Sequence, residues 1–218
     1  MSTPVLQLFD LSGQTALVTG GSRGLGLQIA EALGEAGAKI MLSSRKAADL
    51  EQAAALLQDK GIDARWIAAD ASRPADIQRV VAETMERLGR IDILVNNAGI
   101  NIRKPILELS FDEYQRVLAT NLHGYFLCAR AAGRRMVAQG SGKVVNISSI
   151  MGRVALPGQA AYASSKGAVE QLTKVLALEW ATANVQVNAL GPTYFETELT
   201  RPLFEDEERH DFIVARTP

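Results

Sequence analysis

Tyr162 and Lys166 stand four residues apart in the stretch YASSK, among small residues. At helical pitch, positions i and i+4 share one face, one turn apart. A lysine ammonium beside a phenol favours the phenolate and lowers the tyrosine pKa from its ordinary value of about 10. The pair therefore reads as an acid/base group brought towards neutral pH. The same spacing also arises by chance, so the pair needs support from the rest of the chain.

A second stretch points to phosphate. In TGGSRGLG (19–26), Gly20, Gly24 and Gly26 are spaced G-x3-G-x-G. Glycines at these places permit a tight turn and let backbone N–H groups approach a pyrophosphate. A helix N-terminus adds about half a positive charge. The other reading is an ordinary tight strand–helix turn; the position of the stretch between strand and helix favours the nucleotide. The second strand runs into Ser43, Ser44, Arg45 and Lys46. A carboxylate there would accept the ribose 2′-hydroxyl, but none is present. Guanidinium groups bind phosphate through charge-assisted bonds. Arg45, with Arg23 from the glycine loop, therefore favours NADP(H) over NAD(H). The competing reading of Arg45 and Lys46 is a solvated helix start.

These residues need a frame. Short, nearly continuous apolar runs at 15–19, 39–44, 64–69, 91–96, 143–148 and 185–190 read as strands of a parallel sheet covered on both faces. Between them, LGLQIAEALGEAG and AADLEQAAALLQDKG have helical periodicity and end at glycine. Pro74 and Asp76 mark another helix start. Six strands alternating with helices predict an α/β fold with a doubly wound parallel sheet, the Rossmann architecture, in a single domain over residues 1–218.

Composition narrows the function classes. The chain has 218 residues, 47% of them hydrophobic, enough for one sizeable core. With 23 basic and 24 acidic residues the net charge is −1, which gives no electrostatic case for nucleic acid or an anionic membrane. One cysteine, Cys128, excludes an intramolecular disulfide, and with only two histidines argues against a Cys/His zinc site. No metal is expected. The N-terminus lacks the pattern of a signal peptide, and no window approaches a membrane span. The expectation is a cytoplasmic protein.

Taken together, TGGSRGLG, NNAG (96–99), TN (120–121), NISS (146–149) and YASSK resemble, in order and spacing, the short-chain dehydrogenase/reductase family. The resemblance runs from about Leu11 to the end of the chain. It implies a nicotinamide cofactor, hydride transfer and four catalytic residues. Tyr162 is then the general acid/base. Lys166 lowers its pKa and holds the nicotinamide ribose. Ser149, thirteen positions before Tyr162, binds the substrate oxygen in preference to the adjacent Ser148. Asn121 holds a water in the proton relay. On the cofactor side the resemblance implies Gly20, Ser22, Arg23, Gly24, Leu25 and Gly26 at the phosphates. Ser44, Arg45, Asp70, Ala71, Asn97 and Gly99 fall along the adenosine, with Asp70 at the adenine amino group. Pro192, Phe195 and Thr197 join Tyr162 and Lys166 at the nicotinamide. Each residue also has a plainer reading: Ser149 as a helix cap, Asn121 as a locally satisfied helix residue, NNAG as a turn. His123 and His210 are expected outside catalysis, and Cys128 in the core.

The substrate side is read from GINIRKP (99–105) and from residues 191–218. Their wording resembles the gluconate 5-dehydrogenase branch of the family, which implies a sugar acid and its keto form. Arg103 suits a substrate carboxylate, alongside Ser149 and Tyr162, or is simply solvated. A 3-oxoacyl-carrier-protein reductase or another ketone reductase is the alternative. Two departures stand out: Pro192 is followed by Thr193 where the family usually has glycine, and the chain stops at RTP. Family members usually continue through a further helix, a seventh strand and a tail that builds a subunit interface. The family forms homotetramers or dimers, so the expectation is a truncated chain with an exposed sixth strand and impaired assembly. A cofactor-binding protein without turnover is the alternative of another class.

Overall fold

The computed structural model describes residues 5–197 and 200–215. Six parallel strands form one sheet in the order β3-β2-β1-β4-β5-β6. They are β1 (Thr15–Thr19), β2 (Lys39–Ser44), β3 (Ala64–Ala68), β4 (Ile93–Asn96), β5 (Gly142–Ile147) and β6 (Val185–Leu190). The doubly wound expectation holds. The apolar runs overshoot some strand ends by a residue or two, because apolarity marks burial whereas a strand end is set by ladder pairing.

Alternation along each strand divides the core between the two faces. Ala16, Val18, Ile40, Leu42, Ile93 and Val95 pack with Ala30 of α1 (Gly24–Glu35) and Leu50, Ala53 and Leu57 of α2 (Ala47–Asp59). Leu17, Met41, Leu94 and Val144 pack on the other face. Their partners are Ile77 and Val80 of α3 (Pro74–Leu88), Cys128 and Ala132 further along the chain, and Leu176. Pro74 and Asp76 occupy the first turn of α3, and Gly89 closes it in the left-handed region with φ 83°.

The helical segment after β4 has three parts. It begins as α4 (Phe111–Leu118), started by a Ser110–Glu113 capping box that the spacing S-F-D-E encodes. It widens into a π-helical turn (Ala119–His123), and continues as α5 (Gly124–Gln139). A long helix, α6 (Ala160–Trp180), follows β5, and α7 (Arg201–Phe204) and α8 (Glu207–Val214) lie beyond β6. No helix among the described residues is long and apolar enough to cross a membrane.

Strand order reverses at β1, which pairs with β2 on one side and β4 on the other. In open α/β sheets the crevice at such a switch point, beyond the carboxyl ends of the strands, is where ligands bind.

Candidate active site

The glycine turn fills that crevice. Gly20 follows β1 with φ 64°, and a Cβ there would stand 2.9 Å from the Ala98 Cα. A Cβ on Gly26 would stand 2.3 Å from the Gly20 carbonyl oxygen. Backbone packed this closely leaves no room for side chains. Asn97 locks the turn: its Nδ2 donates to the carbonyls of Thr19 and Gly20, each at 3.1 Å. Thr19 Oγ1 accepts from the backbone N–H of Asn97 at 3.0 Å and of Ala98 at 3.2 Å. The N-cap residue Arg23 makes no side-chain cap bond to the first turn of α1, which suits N–H groups that are to meet a phosphate.

A cavity of about 490 Å³ opens over this turn. Twelve of the expected cofactor residues line it: Gly20, Ser22, Arg23, Gly24, Leu25, Ser44, Arg45, Asp70, Ala71, Asn97, Gly99 and Thr197. Gly26 does not; its part is the close packing beneath. Ser43, Lys46, Asp49, Ile100 and Thr120 line it as well. Asp70 is held in place by Ser72, whose backbone N–H and hydroxyl donate to Oδ1 at 2.9 and 2.7 Å. Burial works against its charge. The Ser72 bonds and the fields of Arg45 and Arg73 outweigh that and hold the carboxyl below its usual value. The floor of the cavity thus fits a dinucleotide, and Arg23, Arg45 and Lys46 add positive charge to its lining.

The residues expected to be catalytic converge from three elements. Ser149 follows β5 and accepts from the Met151 N–H at 3.2 Å, capping a short 3-10 turn (Ile150–Gly152). Its side chain also acts on the Tyr162 phenol of α6, favouring the ionised form. The plain cap reading and the site reading of Ser149 therefore both hold. Asn121 is fully buried in the π turn. It accepts from Ile100 N–H at 2.8 Å and donates to the Ile100 carbonyl at 2.9 Å and to Ser165 Oγ at 3.2 Å. Its partners are distant in sequence, so the locally satisfied reading is set aside. Pro192 accepts from Ile150 N–H at 3.3 Å, beside Ser149, whereas Phe195 is half exposed.

One expectation needs correction. The Tyr162 phenol stands above its ordinary pKa and not below it. Burial pushes that phenol up, and the Ser149 side chain and the field of Arg103 oppose it. The Lys166 Nζ is 5.6 Å from the Tyr162 ring centroid and donates instead to the Ile147 carbonyl at 2.6 Å. The physical reason is burial: Lys166 is 3% exposed, and its own pKa falls to about 7. A desolvated ammonium takes the strongest acceptor in reach.

Behind the site runs a buried polar chain that periodicity did not single out. Asn96 Nδ2 donates to Asn146 Oδ1, and Asn146 Nδ2 to Thr173 Oγ1, each at 2.9 Å. It ties β4 and β5 to α6. Asn96, the first residue of NNAG, and Asn146, the asparagine of NISS, are its sequence trace.

A second cavity, of about 440 Å³, takes lining from both stretches expected to flank the substrate. Arg103, Lys104, Gln159, Tyr194 and Phe212 are among the residues that line it. Of the stretch 191–218, residues 198–199 and 216–218 lie outside the described residues.

A family model described as short chain dehydrogenase matches residues 14–208. The chain belongs to the short-chain dehydrogenase family. The gluconate 5-dehydrogenase of Gluconobacter oxydans (strain 621H) is 41% identical over 218 residues, all of this chain and 84% of that protein. The 5-keto-D-gluconate 5-reductase of Escherichia coli (strain K12) is 38% identical over 211 residues, 97% of this short-chain dehydrogenase and 83% of the relative. Among solved structures, a gluconate 5-dehydrogenase from Burkholderia cenocepacia J2315, in complex with NADP and tartrate, superposes with a TM-score of 0.94 at 41% identity. That match covers 99% of this chain and 84% of the other.

Proposed function

We propose that this chain is an NADP(H)-dependent oxidoreductase that interconverts a secondary alcohol and a ketone on a sugar acid, such as gluconate and 5-ketogluconate. The observation that carries the reading is the convergence at Tyr162: a partly buried phenol on which Ser149 and the field of Arg103 both act to favour ionisation. When bound, the nicotinamide supplies the hydride. Ser149 and Tyr162 both donate to the carbonyl oxygen, where negative charge develops during reduction. Tyr162 then delivers its proton to that oxygen, and Lys166 holds the ribose. Asn121 fixes the Ile100 backbone at the cavity wall. Arg103 lines the second cavity and takes the substrate carboxylate through paired N–H donors. The Gluconobacter and Escherichia relatives, and the NADP and tartrate in the Burkholderia complex, support this substrate class and cofactor. Under this reading residues 1–218 work as one dinucleotide-binding domain in the cytoplasm. The habit of the family supports assembly into a homo-oligomer.

The test follows NADPH absorbance during reduction of 5-ketogluconate, 2-ketogluconate, an acetoacetyl thioester and simple ketones. Turnover of 5-ketogluconate that disappears in Tyr162→Phe and needs far more substrate in Arg103→Ala is expected. Turnover of the thioester alone reassigns the chain to acyl reduction. Cofactor binding with no turnover on any substrate overturns the enzyme reading.

A further inference from the structure

Lys166 lies between two tyrosines, only one of which the reaction uses. Its Nζ is 5.0 Å from the ring centroid of Tyr125, against 5.6 Å from that of Tyr162. Tyr125 sits on α5, one helical turn beyond Asn121, and is 1% exposed. Its hydroxyl donates to the Ile147 carbonyl at 3.1 Å. The Lys166 ammonium donates to that same carbonyl and, at 3.3 Å, to the Tyr125 oxygen. Phenol, ammonium and carbonyl form a closed triangle at the end of β5, two residues before Ser149.

An ammonium has three N–H donors, and a buried one must spend them on oxygen. A phenylalanine would fill the Tyr125 site as well by volume. What the hydroxyl adds is a lone pair for Lys166 and an anchor on Ile147. We infer that Tyr125 is a positioning residue: its phenol oxygen holds the Lys166 ammonium at the end of β5 and helps keep it charged. The inference rests on the reading of Lys166 as part of the reaction centre. Burial alone carries Lys166 down to about 7, so each acceptor that favours the charged form counts at neutral pH.

The surroundings define the control conditions. Tyr162 faces Lys166 from α6, and Arg103 acts on Tyr162. Cys128, one turn along α5 from Tyr125, is neutral. One turn along α6, Glu170 pairs with Arg153 at 3.1 Å and accepts from Ser148 Oγ at 3.3 Å. Tyr125→Phe leaves all of these side chains in place.

Two readouts test the assignment. In Tyr125→Phe, the alkaline fall of the ketone-reduction rate should move to lower pH by about one unit, as loss of one charge-assisted hydrogen bond implies. Met136→Leu, buried about three turns further along α5, should leave it in place. The second readout needs no turnover: melting temperatures of Tyr125→Phe, Lys166→Met and the double variant. If the phenol serves the ammonium, Tyr125→Phe costs far less stability once Lys166 is methionine. A Tyr125→Phe chain that fails to fold should fold again in the double variant. An unmoved pH profile, additive melting shifts, or a double variant as unstable as the single one overturns the inference. Failure of every ketone substrate would count against the proposed function instead, and the melting cycle would still decide this contact.

Discussion

Asn121 and Ile100 exchange two hydrogen bonds: Ile100 N–H to Asn121 Oδ1 at 2.8 Å, and Asn121 Nδ2 to the Ile100 carbonyl at 2.9 Å. One amide thereby replaces a strand partner for the backbone just beyond β4, and the π turn places it there. The wider turn lets the side chain face inward, towards Ser165. Asn121→Ala strands both groups of Ile100. The expected cost is on the order of 1–3 kcal/mol, because both groups are only partly buried and water in the cavity can meet part of the loss. Thermal melting should show it, together with a fall in kcat as the cavity wall loosens. Asn121→Asp keeps the acceptor and loses the donor, so it should fall between the two.

Gly26→Ala should fold and lose cofactor affinity. The added methyl would meet the Gly20 oxygen at 2.3 Å and Asn97 Nδ2 at 2.5 Å. Relief has to open the turn and break the Asn97 bonds to Thr19 and Gly20. Overpacking of this kind costs roughly 1–3 kcal/mol. Dye-monitored melting with and without NADPH separates the two effects. An unchanged NADPH-induced rise in Tm would show that the turn tolerates the methyl.

Lys166 makes stability depend on pH in a stated direction. Its pKa in the fold is about 7, below the ordinary lysine value of 10.5. Between those pH values the unfolded chain binds the extra proton and the folded chain does not. Stability contributed by this site therefore rises as pH increases from 7 towards 10.5, and the full penalty of the buried cation is present below 7. Lys166→Met should be more stable than the parent at pH 6, by an amount on the order of a few kcal/mol, and should flatten the slope above pH 7. Urea denaturation at a series of pH values measures it. The same variant should lose turnover, which sets stability against function at one residue.

Cys128 should resist thiol reagents in the native state. It is fully buried on α5, and burial pushes its thiol up to about 12. Only the thiolate reacts, and almost none exists at neutral pH. Labelling should proceed at the rate of unfolding and appear promptly in denaturant. Fast labelling of the folded protein would contradict the packing of α5 against the sheet.

The sequence alone determined the fold class and most of the cofactor cavity. The fold class is written in local signals, apolar runs and periodicity within each element, and the glycine spacing reports a turn against a strand end; Asp70, Ala71, Asn97, Gly99 and Thr197 come from the family resemblance. The cavity lining follows once the strands are ordered, because the carboxyl ends of β1, β2 and β4 must meet at the switch point. Tertiary structure decided what no spacing encodes. The YASSK pattern put Lys166 on the face of Tyr162, but burial turned its ammonium to Ile147 and Tyr125, and left Arg103 and Ser149 to act on the phenol. Tyr125 stands in the apolar run around Cys128 without any motif to mark it, and its hydroxyl partner comes from a strand 22 residues away. Asn96 and Asn146 show the same limit: each looks like part of a motif, and only the pairing of β4 with β5 makes them one buried chain. Periodicity records which side of an element is buried. The partner of a buried polar atom is set by long-range packing, where desolvation makes each unmet donor costly and a single short contact decides the arrangement.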